Sequence, residues 1–152
     1  MNIEEEIKST ITLELPKKVL LNITFTKNIV SDRLQEILKP FDISSEQYNV
    51  LRILRGQKGK PSNMNVIQER MISKNSNTTR LIDKLLLKDM VTRKECPENR
   101  RKVEILITQK GLDVLLQLET SIINHENYFA SNLSESELLQ LNLLLEKYRA
   151  LK

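Results

Sequence analysis

The sequence is poor in residues that mark several common protein classes. It has one cysteine, which excludes an intramolecular disulfide framework and favours a reducing compartment. Three glycines and four prolines leave few residues for the turns of an all-β fold. Tryptophan is absent and aromatic residues make up 4% of the chain, so the core must consist mainly of Leu, Ile and Val. These shortages favour a helical globular protein.

The motifs of common enzymes are also missing. The sequence has no glycine-rich phosphate loop, no nucleophile elbow and no His/Cys cluster with metal-ligand spacing. His125 is the only histidine, which disfavours a His-ligated metal site, and we interpret it as a polar residue near a helix end. We therefore expect a protein that is not an enzyme and has no cofactor and no metal ion; the alternative is an enzyme that uses carboxylates alone in a helical bundle, which no Glu-x-x-His pattern supports.

The hydrophobic pattern predicts no contact with a membrane. No apolar run approaches the length of a membrane span, and the N-terminal residues are acidic, unlike those of a secretory signal. A length of 152 residues with 39% hydrophobic residues suits one domain over residues 1–152. The sequence thus favours a single-domain cytoplasmic protein.

The charge is divided unevenly along the chain. Residues 52–110 carry 15 Lys and Arg against 6 Asp and Glu, a net charge of +9, whereas the remainder has a net charge of −5. This division predicts a basic face that binds a polyanion. The alternative is a solvated surface on which the charges cluster by accident.

Apolar residues at helical spacing predict a series of helices. Residues 16–39 form one long helix that ends before Pro40, and residues 1–12 form a short helix or a loose arm. A capping box at Ser44 begins a helix that ends near Gly56. Residues 65–72 form a short helix, whose predicted inner stripe is Val66, Ile67, Arg70 and Met71.

The helix that follows residues 73–75 is amphipathic. Its inner face is predicted to be Thr78, Leu81, Ile82, Leu85 and Leu86, and its outer face Ser76, Asn77, Arg80, Asp83 and Lys84. Two short helices joined by about three polar residues predict a helix-turn-helix. Any helical hairpin with one solvated face is the alternative.

A charged hairpin follows. Val91 to Glu95 reads as one strand, and residues 102–107 alternate as a second. The intervening polar loop, residues 96–101, is too charged to be a core element and must project. We predict a mainly α fold with a small β-hairpin (α+β), in which residues 44–111 form a winged helix-turn-helix.

The C-terminal part is helical again. Thr108 caps one helix, and a capping box at Ser134 begins the last one. The last helix is apolar over an unusually wide arc; its apolar residues are Leu138, Leu139, Leu141, Leu143, Leu144, Leu145, Tyr148 and Leu151. Such a helix needs partners on several sides. We predict a homodimer formed through residues 13–40 and 112–152.

Three stretches, residues 44–54, 76–85 and 99–111, resemble the multiple antibiotic resistance regulator (MarR) family of winged-helix transcription factors. The last is the most specific, with adjacent arginines at the wing tip, a strand and then Thr-x-x-Gly. The resemblance implies a dimeric transcriptional regulator, most often a repressor, that binds pseudo-palindromic double-stranded DNA. It implies DNA contacts from Ser76, Asn77, Thr79, Arg80, Lys84, Arg100, Arg101 and Lys102.

The chemistry of these side chains suggests how they would divide the work. Asn77 suits adenine, and Arg80 and Lys84 suit guanine edges or phosphates. Arg101, with Arg100, would enter the minor groove. Phosphate contacts are the interpretation for Lys88, Arg93, Lys94 and Lys102, and simple solvation is the alternative for each.

The resemblance also implies a small aromatic or anionic effector. Its candidate binding residues are Ile23, Lys27, Tyr48 and Arg52, and ordinary core and surface roles are the alternative for each of them. Cys96 is interpreted as a bystander thiol rather than a redox sensor. A winged-helix module that docks on proteins without reading DNA is the alternative function, and the arginines of the wing argue against it.

Three positions depart from the usual pattern of the family. Asn99 stands where an aspartate is usual, so it cannot form an ion pair with Arg80. Asp89 replaces a helix-terminating glycine, and an aspartate tolerates the left-handed conformation expected there. Thr78 replaces a valine on the inner face of its helix. We expect local differences at these positions, above all at Asn99.

Overall fold

The computed structural model describes residues 1–96 and 99–150, and for residues 100–102 it describes the backbone alone. The chain divides into two compact units, Met1–Ser45 and a second unit that begins at Glu46. The described residues form seven α-helices and one two-stranded antiparallel sheet, the predicted α+β class. Among them, no helix is both long and apolar enough to cross a membrane.

The first unit consists of a short helix and a long one. Helix α1 is Ile3–Glu6, helix α2 is Leu15–Leu38, and a 3₁₀ turn follows at Lys39–Phe41. Pro16 lies in the first turn of α2, where its missing N–H leaves no hydrogen bond unmade. The long helix predicted at residues 16–39 is thus confirmed, and the N-terminal residues include a helix.

Glu4 fastens the N-terminal segment to α2. Its carboxylate accepts a hydrogen bond of 2.6 Å from the backbone N–H of Leu13 and pairs with the ammonium of Lys18 at 2.8 Å. The Leu13 hydrogen bond, and after it Lys18, lowers the pKa of Glu4 below its usual value. Because the carboxylate is the form that binds both groups, we expect the attachment to weaken in acid.

We predict that acid releases this segment. A group whose pKa is lowered by folding stabilises the fold above its unfolded-state pKa, and that contribution is lost as the pH falls through the folded-state value. Hydrogen-exchange protection of the Leu13 amide should therefore be present near neutral pH. It should be lost as the pH falls below 4.5, the usual pKa of glutamate. Glu4→Gln should reduce protection at neutral pH and remove its acid dependence, whereas Glu6→Gln should change neither. Wild-type protection in Glu4→Gln would contradict the assignment.

The second unit begins with three helices. Helix α3 is Ser45–Arg55 and starts at the unit boundary, α4 is Met64–Arg70, and α5 is Thr78–Leu87. Their buried side chains include Val50, Leu51, Leu54, Ile67, Ile82 and Leu85, together with that of Met71, the residue that follows α4. The inner stripe predicted for α4 was wrong at Arg70, which is exposed. A guanidinium buried without a partner would lose its hydration, so the charge stays in solvent and Ile67 and Met71 form the inner face.

The hairpin has longer strands than the sequence pattern suggests. Strand β1 is Val91–Cys96 and strand β2 is Asn99–Ile107, and they pair antiparallel with Val91 opposite Ile107. The loop predicted at residues 96–101 was wrong in extent, because Cys96 and residues 99–101 belong to the strands. Backbone pairing continues beyond the apolar alternation, since the ladder needs only N–H and C=O groups.

A third backbone segment pairs with the hairpin. Ser62 donates its N–H to the carbonyl of Ile105 at 2.9 Å and accepts the N–H of Ile105 at 2.7 Å. Ile105 is completely buried, and it also lies opposite Arg93 of β1. The segment between α3 and α4 therefore fixes β2 near its C-terminal end.

The left-handed conformation expected at Asp89 is confirmed, with φ of 56°. This residue ends α5 and turns the chain into β1. The Asp89 carbonyl accepts a hydrogen bond of 2.7 Å from the hydroxyl of Thr108, which also caps α6 by accepting the N–H of Gly111. One threonine thus joins the two ends of the hairpin to the helix that follows.

Gly111 allows a close approach at this junction. A Cβ at this position would lie 2.5 Å from the carbonyl oxygen of Met90 and 2.7 Å from Cγ1 of Ile107. The Met90 carbonyl belongs to the backbone and cannot move far enough to make room for a Cβ. Packing therefore requires the glycine of the Thr-x-x-Gly motif.

The chain continues with two helices, α6 at Gln109–Ala130 and α7 at Glu135–Arg149. The capping box predicted at Ser134 is confirmed, because Ser134 and Glu137 exchange hydrogen bonds. His125 lies near the end of α6, where it is buried edge-on against Phe129 with ring centroids 5.3 Å apart. Every described residue of α7 is exposed, and Leu151 lies outside the described residues.

Candidate nucleic-acid interface

Helix α5 has one buried face and one polar face. Thr78, Ile82 and Leu85 are buried. Thr79, Arg80 and Lys84 are exposed. This division agrees with the amphipathic pattern predicted from the sequence. The exposed face offers a hydroxyl, a guanidinium and an ammonium, the groups that donate to base edges and phosphate oxygens.

Asn77 is the N-cap of α5. Its side-chain oxygen accepts the backbone N–H of Arg80 at 3.1 Å. A cap of this kind contributes about 0.5–2 kcal/mol to helix stability. The residue is exposed, and the cap bond uses its side-chain oxygen rather than its amide N–H groups. Asn77 therefore has a structural role that the sequence pattern did not reveal, although its type and position before the helix are those of a cap.

Ser76 differs from its neighbours on the predicted outer face. Its hydroxyl oxygen is buried and has no hydrogen-bond partner among the described residues, and its N–H donates to the carbonyl of Ser73. In this conformation the groups of α5 that point outward begin at Asn77.

An ion pair joins α5 to the hairpin. The guanidinium of Arg93 on β1 lies 2.8 Å from the carboxylate of Asp83 on α5. The sequence pattern predicted Asp83 on the outer face of the helix and a phosphate contact for Arg93. It did not predict the ion pair between them. Two opposite charges ten residues apart on different elements give no periodic signal. The pair is a direct side-chain contact between β1 and the exposed face of α5.

The basic residues of the wing lie on β2. The backbone of Arg100, Arg101 and Lys102 is in the strand, and their side chains lie outside the described part of the chain. Asn99 is exposed and pairs in the ladder with Cys96, where the register shifts. On β1, Lys94 is exposed, and Cys96 is half-buried.

Two of the candidate effector residues are in contact. The guanidinium of Arg52 lies over the ring of Tyr48 at 5.8 Å from its centroid. Burial raises the pKa of Tyr48, opposed by the charges of Arg52 and Arg55. The other two candidates belong to α2 of the first unit, where Ile23 is half-buried and Lys27 is exposed. Among the described residues, no group of three or more His, Cys, Asp or Glu side chains is placed to hold a metal ion.

The arrangement of helix, turn, helix and hairpin defines a winged-helix protein. The sequence profile of the MarR family matches residues 43–103. A MarR transcription factor from Planctomyces limnophilus is 32% identical to this chain; 90% of this chain and 98% of that chain are covered, with a TM-score of 0.69. The chain therefore belongs to the MarR family of winged-helix transcriptional regulators, as the sequence resemblance implied.

Two further solved structures share the fold at lower identity. A cysteine-to-serine variant of MarR from E. coli, complexed with operator DNA, is 22% identical, with 91% of this chain and all of that chain covered and a TM-score of 0.77. The organohalide-sensing regulator RdhR-CbdbA1625, in its 2,4-dichlorophenol-bound form, is 20% identical, with 91% and 81% covered and a TM-score of 0.82. A search of curated proteins gives no match.

We predict that Asp83→Asn weakens DNA binding although it makes the protein more positive. The pair is 41% and 50% exposed at its two side chains, so its loss should change the free energy of unfolding by less than about 1 kcal/mol. If the pair orients the hairpin, affinity for duplex DNA should fall about two- to fivefold. The control is Glu95→Gln, which removes the same charge from an exposed residue of β1 and should strengthen binding. Fluorescence anisotropy distinguishes the two, and tighter binding by both variants would contradict the orienting role.

Proposed function

We propose that this protein is a dimeric repressor that binds pseudo-palindromic operator DNA and releases it when a small molecule binds. The observation that carries the DNA-binding part is the exposed polar face of α5 beside a hairpin whose strand it contacts through Asp83 and Arg93. A helix in the major groove with a basic wing beside it accounts for the net charge of +9 in residues 52–110.

Each element has a distinct part in the proposed complex. Asn77, Arg80 and Lys84 of α5 contact base edges, and Thr79 contacts a neighbouring phosphate. Arg100 and Arg101 place the wing in the minor groove, and Lys102 neutralises phosphate. Ser76 is a weaker candidate than its neighbours for a DNA contact, since its hydroxyl oxygen is buried and its backbone N–H donates to Ser73.

The dimer is proposed from the apolar surface of the terminal helices. In α7 the exposed large apolar residues are Leu138, Leu139, Leu141, Leu143, Leu144, Leu145 and Tyr148. The first unit also exposes Ile7, Ile11, Leu15, Leu20 and Ile29. A monomer rarely leaves so many large apolar side chains in water, because each gains about 1.5–3 kcal/mol on full burial.

The effector is proposed to be an aromatic or anionic small molecule. Tyr48 offers a half-buried ring and Arg52 an exposed guanidinium on the same face of α3, which suit those two chemistries. The ligand in the structure of RdhR-CbdbA1625, 2,4-dichlorophenol, is an aromatic compound that can also carry negative charge. Ile23 and Lys27 remain candidates from the resemblance. To release DNA, the effector must bind the DNA-free form more tightly than the bound form.

We predict that Asn77 combines base choice with helix capping. Asn77→Ser keeps the cap oxygen but loses the amide donor, so it should remain as stable as the wild type and lose preference at one base step. Asn77→Ala should show the same loss of preference, and its free energy of unfolding should be lower by about 0.5–2 kcal/mol.

Arg101→Ala should weaken binding to all sequences alike. Titration of duplexes with matched and altered half-sites about 10 base pairs apart measures these effects.

The salt dependence provides the control for that experiment. If each copy neutralises about three or four phosphates, affinity should fall roughly 10³-fold or more between about 50 and 200 mM salt. Affinities that depend neither on sequence nor on salt would contradict DNA binding and favour the alternative of a protein-docking module.

We predict that a charge in the middle of α7 separates the dimer. Leu144→Glu should reduce the mass in sedimentation equilibrium to that of one chain and abolish high-affinity operator binding. Gln140→Glu introduces the same side chain and the same change of charge at an exposed polar position of α7, and it should remain dimeric. A wild-type protein that sediments as a monomer at micromolar concentration would contradict the proposed assembly.

A further inference from the structure

The turn between α4 and α5 is held by side chains from two helices. Asn49 on α3 accepts the backbone N–H of Ile72 at 2.9 Å, at the start of the turn. Gln68 on α4 donates from Nε2 to the carbonyl of Lys74 at 2.7 Å, in the middle of the turn. Gln68 also accepts, through Oε1, the hydroxyl proton of Thr78, the first residue of α5.

The chemistry of these groups permits one arrangement of the Gln68 amide. The carbonyl of Lys74 can only accept, so the amide nitrogen must face it. The amide oxygen then faces Thr78, whose hydroxyl must donate. A flipped amide would place two oxygens against each other at Lys74. The two hydrogen bonds therefore support each other, and Gln68 joins the turn to the first residue of α5.

Thr78 needs this partner. It is 6% exposed, and a hydroxyl buried without a hydrogen bond is destabilising. A purely apolar residue at position 78 would need no such partner and would contact α4 only through packing. In this chain the contact is directional instead, because a hydrogen bond fixes distance and angle as well as proximity.

The position of Thr78 matters because Asn77 precedes it. Asn77 caps α5 through the N–H of Arg80, so a shift of Thr78 moves both side chains that would meet the bases. Binding groups must be held within about 0.5 Å of the productive geometry to act together. A fixed first residue of α5 satisfies this requirement.

We propose that Gln68 is a positioning residue for DNA reading: it sets the placement of the first turn of α5 through Thr78 and Lys74 without touching DNA itself. This inference rests on the proposed DNA-binding function. It adds a residue on α4 that neither the sequence pattern nor the exposed surface identifies.

A double-mutant cycle tests the proposal. Gln68→Met removes both hydrogen bonds and leaves the Thr78 hydroxyl without a partner. Thr78→Val leaves the Gln68 side-chain oxygen without the Thr78 donor. The double variant replaces the pair by apolar contact. Two duplexes serve as probes: one selected by the wild-type protein from a library with randomised half-sites, and a scrambled duplex of the same composition. The preference for the selected duplex over the scrambled one is the readout, with thermal unfolding measured in parallel.

We expect Gln68→Met to reduce the preference about tenfold, which is about 1.4 kcal/mol, while affinity for the scrambled duplex changes less than about twofold. The double variant leaves no buried hydroxyl unpaired, so it should unfold less easily than Gln68→Met, but it lacks the hydrogen bonds to Thr78 and Lys74 and should not recover the preference. Thr78→Ser keeps the hydroxyl and should retain most of the preference. The control is Gln57→Met, at a glutamine whose amide nitrogen is buried without a hydrogen-bond partner among the described residues, and it should retain the full preference.

The possible failures are distinguishable. A wild-type protein that shows no preference for the selected duplex overturns the proposed function, and the inference with it. A wild-type preference that survives Gln68→Met overturns the inference alone. Equal losses on both duplexes, in step with a lower unfolding temperature, would also overturn it, since they would mean that Gln68 only stabilises the fold.

Discussion

The backbone pairing of Ser62 with Ile105 is the contact on which the wing depends. A two-stranded hairpin is marginally stable by itself in water, so β1 and β2 need a third element. Ser62 provides it by exchanging two hydrogen bonds with Ile105, a completely buried residue near the C-terminal end of β2. At the base of the hairpin, Thr108 bonds to the Asp89 carbonyl, and Gly111 admits the Met90 carbonyl within a distance that no side chain would allow. The outer part of the wing can therefore extend into solvent while its base stays fixed.

This anchoring explains why an exposed ion pair can matter more for binding than for stability. Arg93 lies opposite Ile105 in the ladder, so its backbone is held at the anchored level of the hairpin. The Arg93 side chain therefore reaches Asp83 on α5 from a backbone position that the ladder fixes. An ion pair this exposed adds little to the free energy of unfolding. It does join the helix to the strand, and the proposed contacts in two adjacent grooves require one relative orientation of the two elements.

The sequence predicted the parts of this fold that depend on local interactions. Helical spacing located α2 and the buried face of α5, and short polar patterns located the caps at Thr108 and Ser134, because each depends on residues three or four positions apart. It failed where distant partners decide. Arg70 has the spacing of a buried residue, but its charge requires solvent. The strands extend beyond their apolar alternation because pairing partners on the backbone are available. The Asp83–Arg93 pair and the bonds of Gln68 join separate elements, so no single-sequence pattern contains them.

The exposed face of α5 also indicates why one copy of this chain would be insufficient for an operator. It offers three side chains suited to base edges, Asn77, Arg80 and Lys84, and a good base contact discriminates by about 1–3 kcal/mol. Asn77 shares its oxygen with the helix cap, so its contribution belongs at the lower end of that range. Specific sites in a genome must be preferred by roughly 4–10 kcal/mol over other DNA. Two copies at fixed separation double the discrimination and add a requirement for half-site spacing. The exposed apolar surface of α7 and the small number of base-contacting side chains on α5 both agree with the proposed dimer.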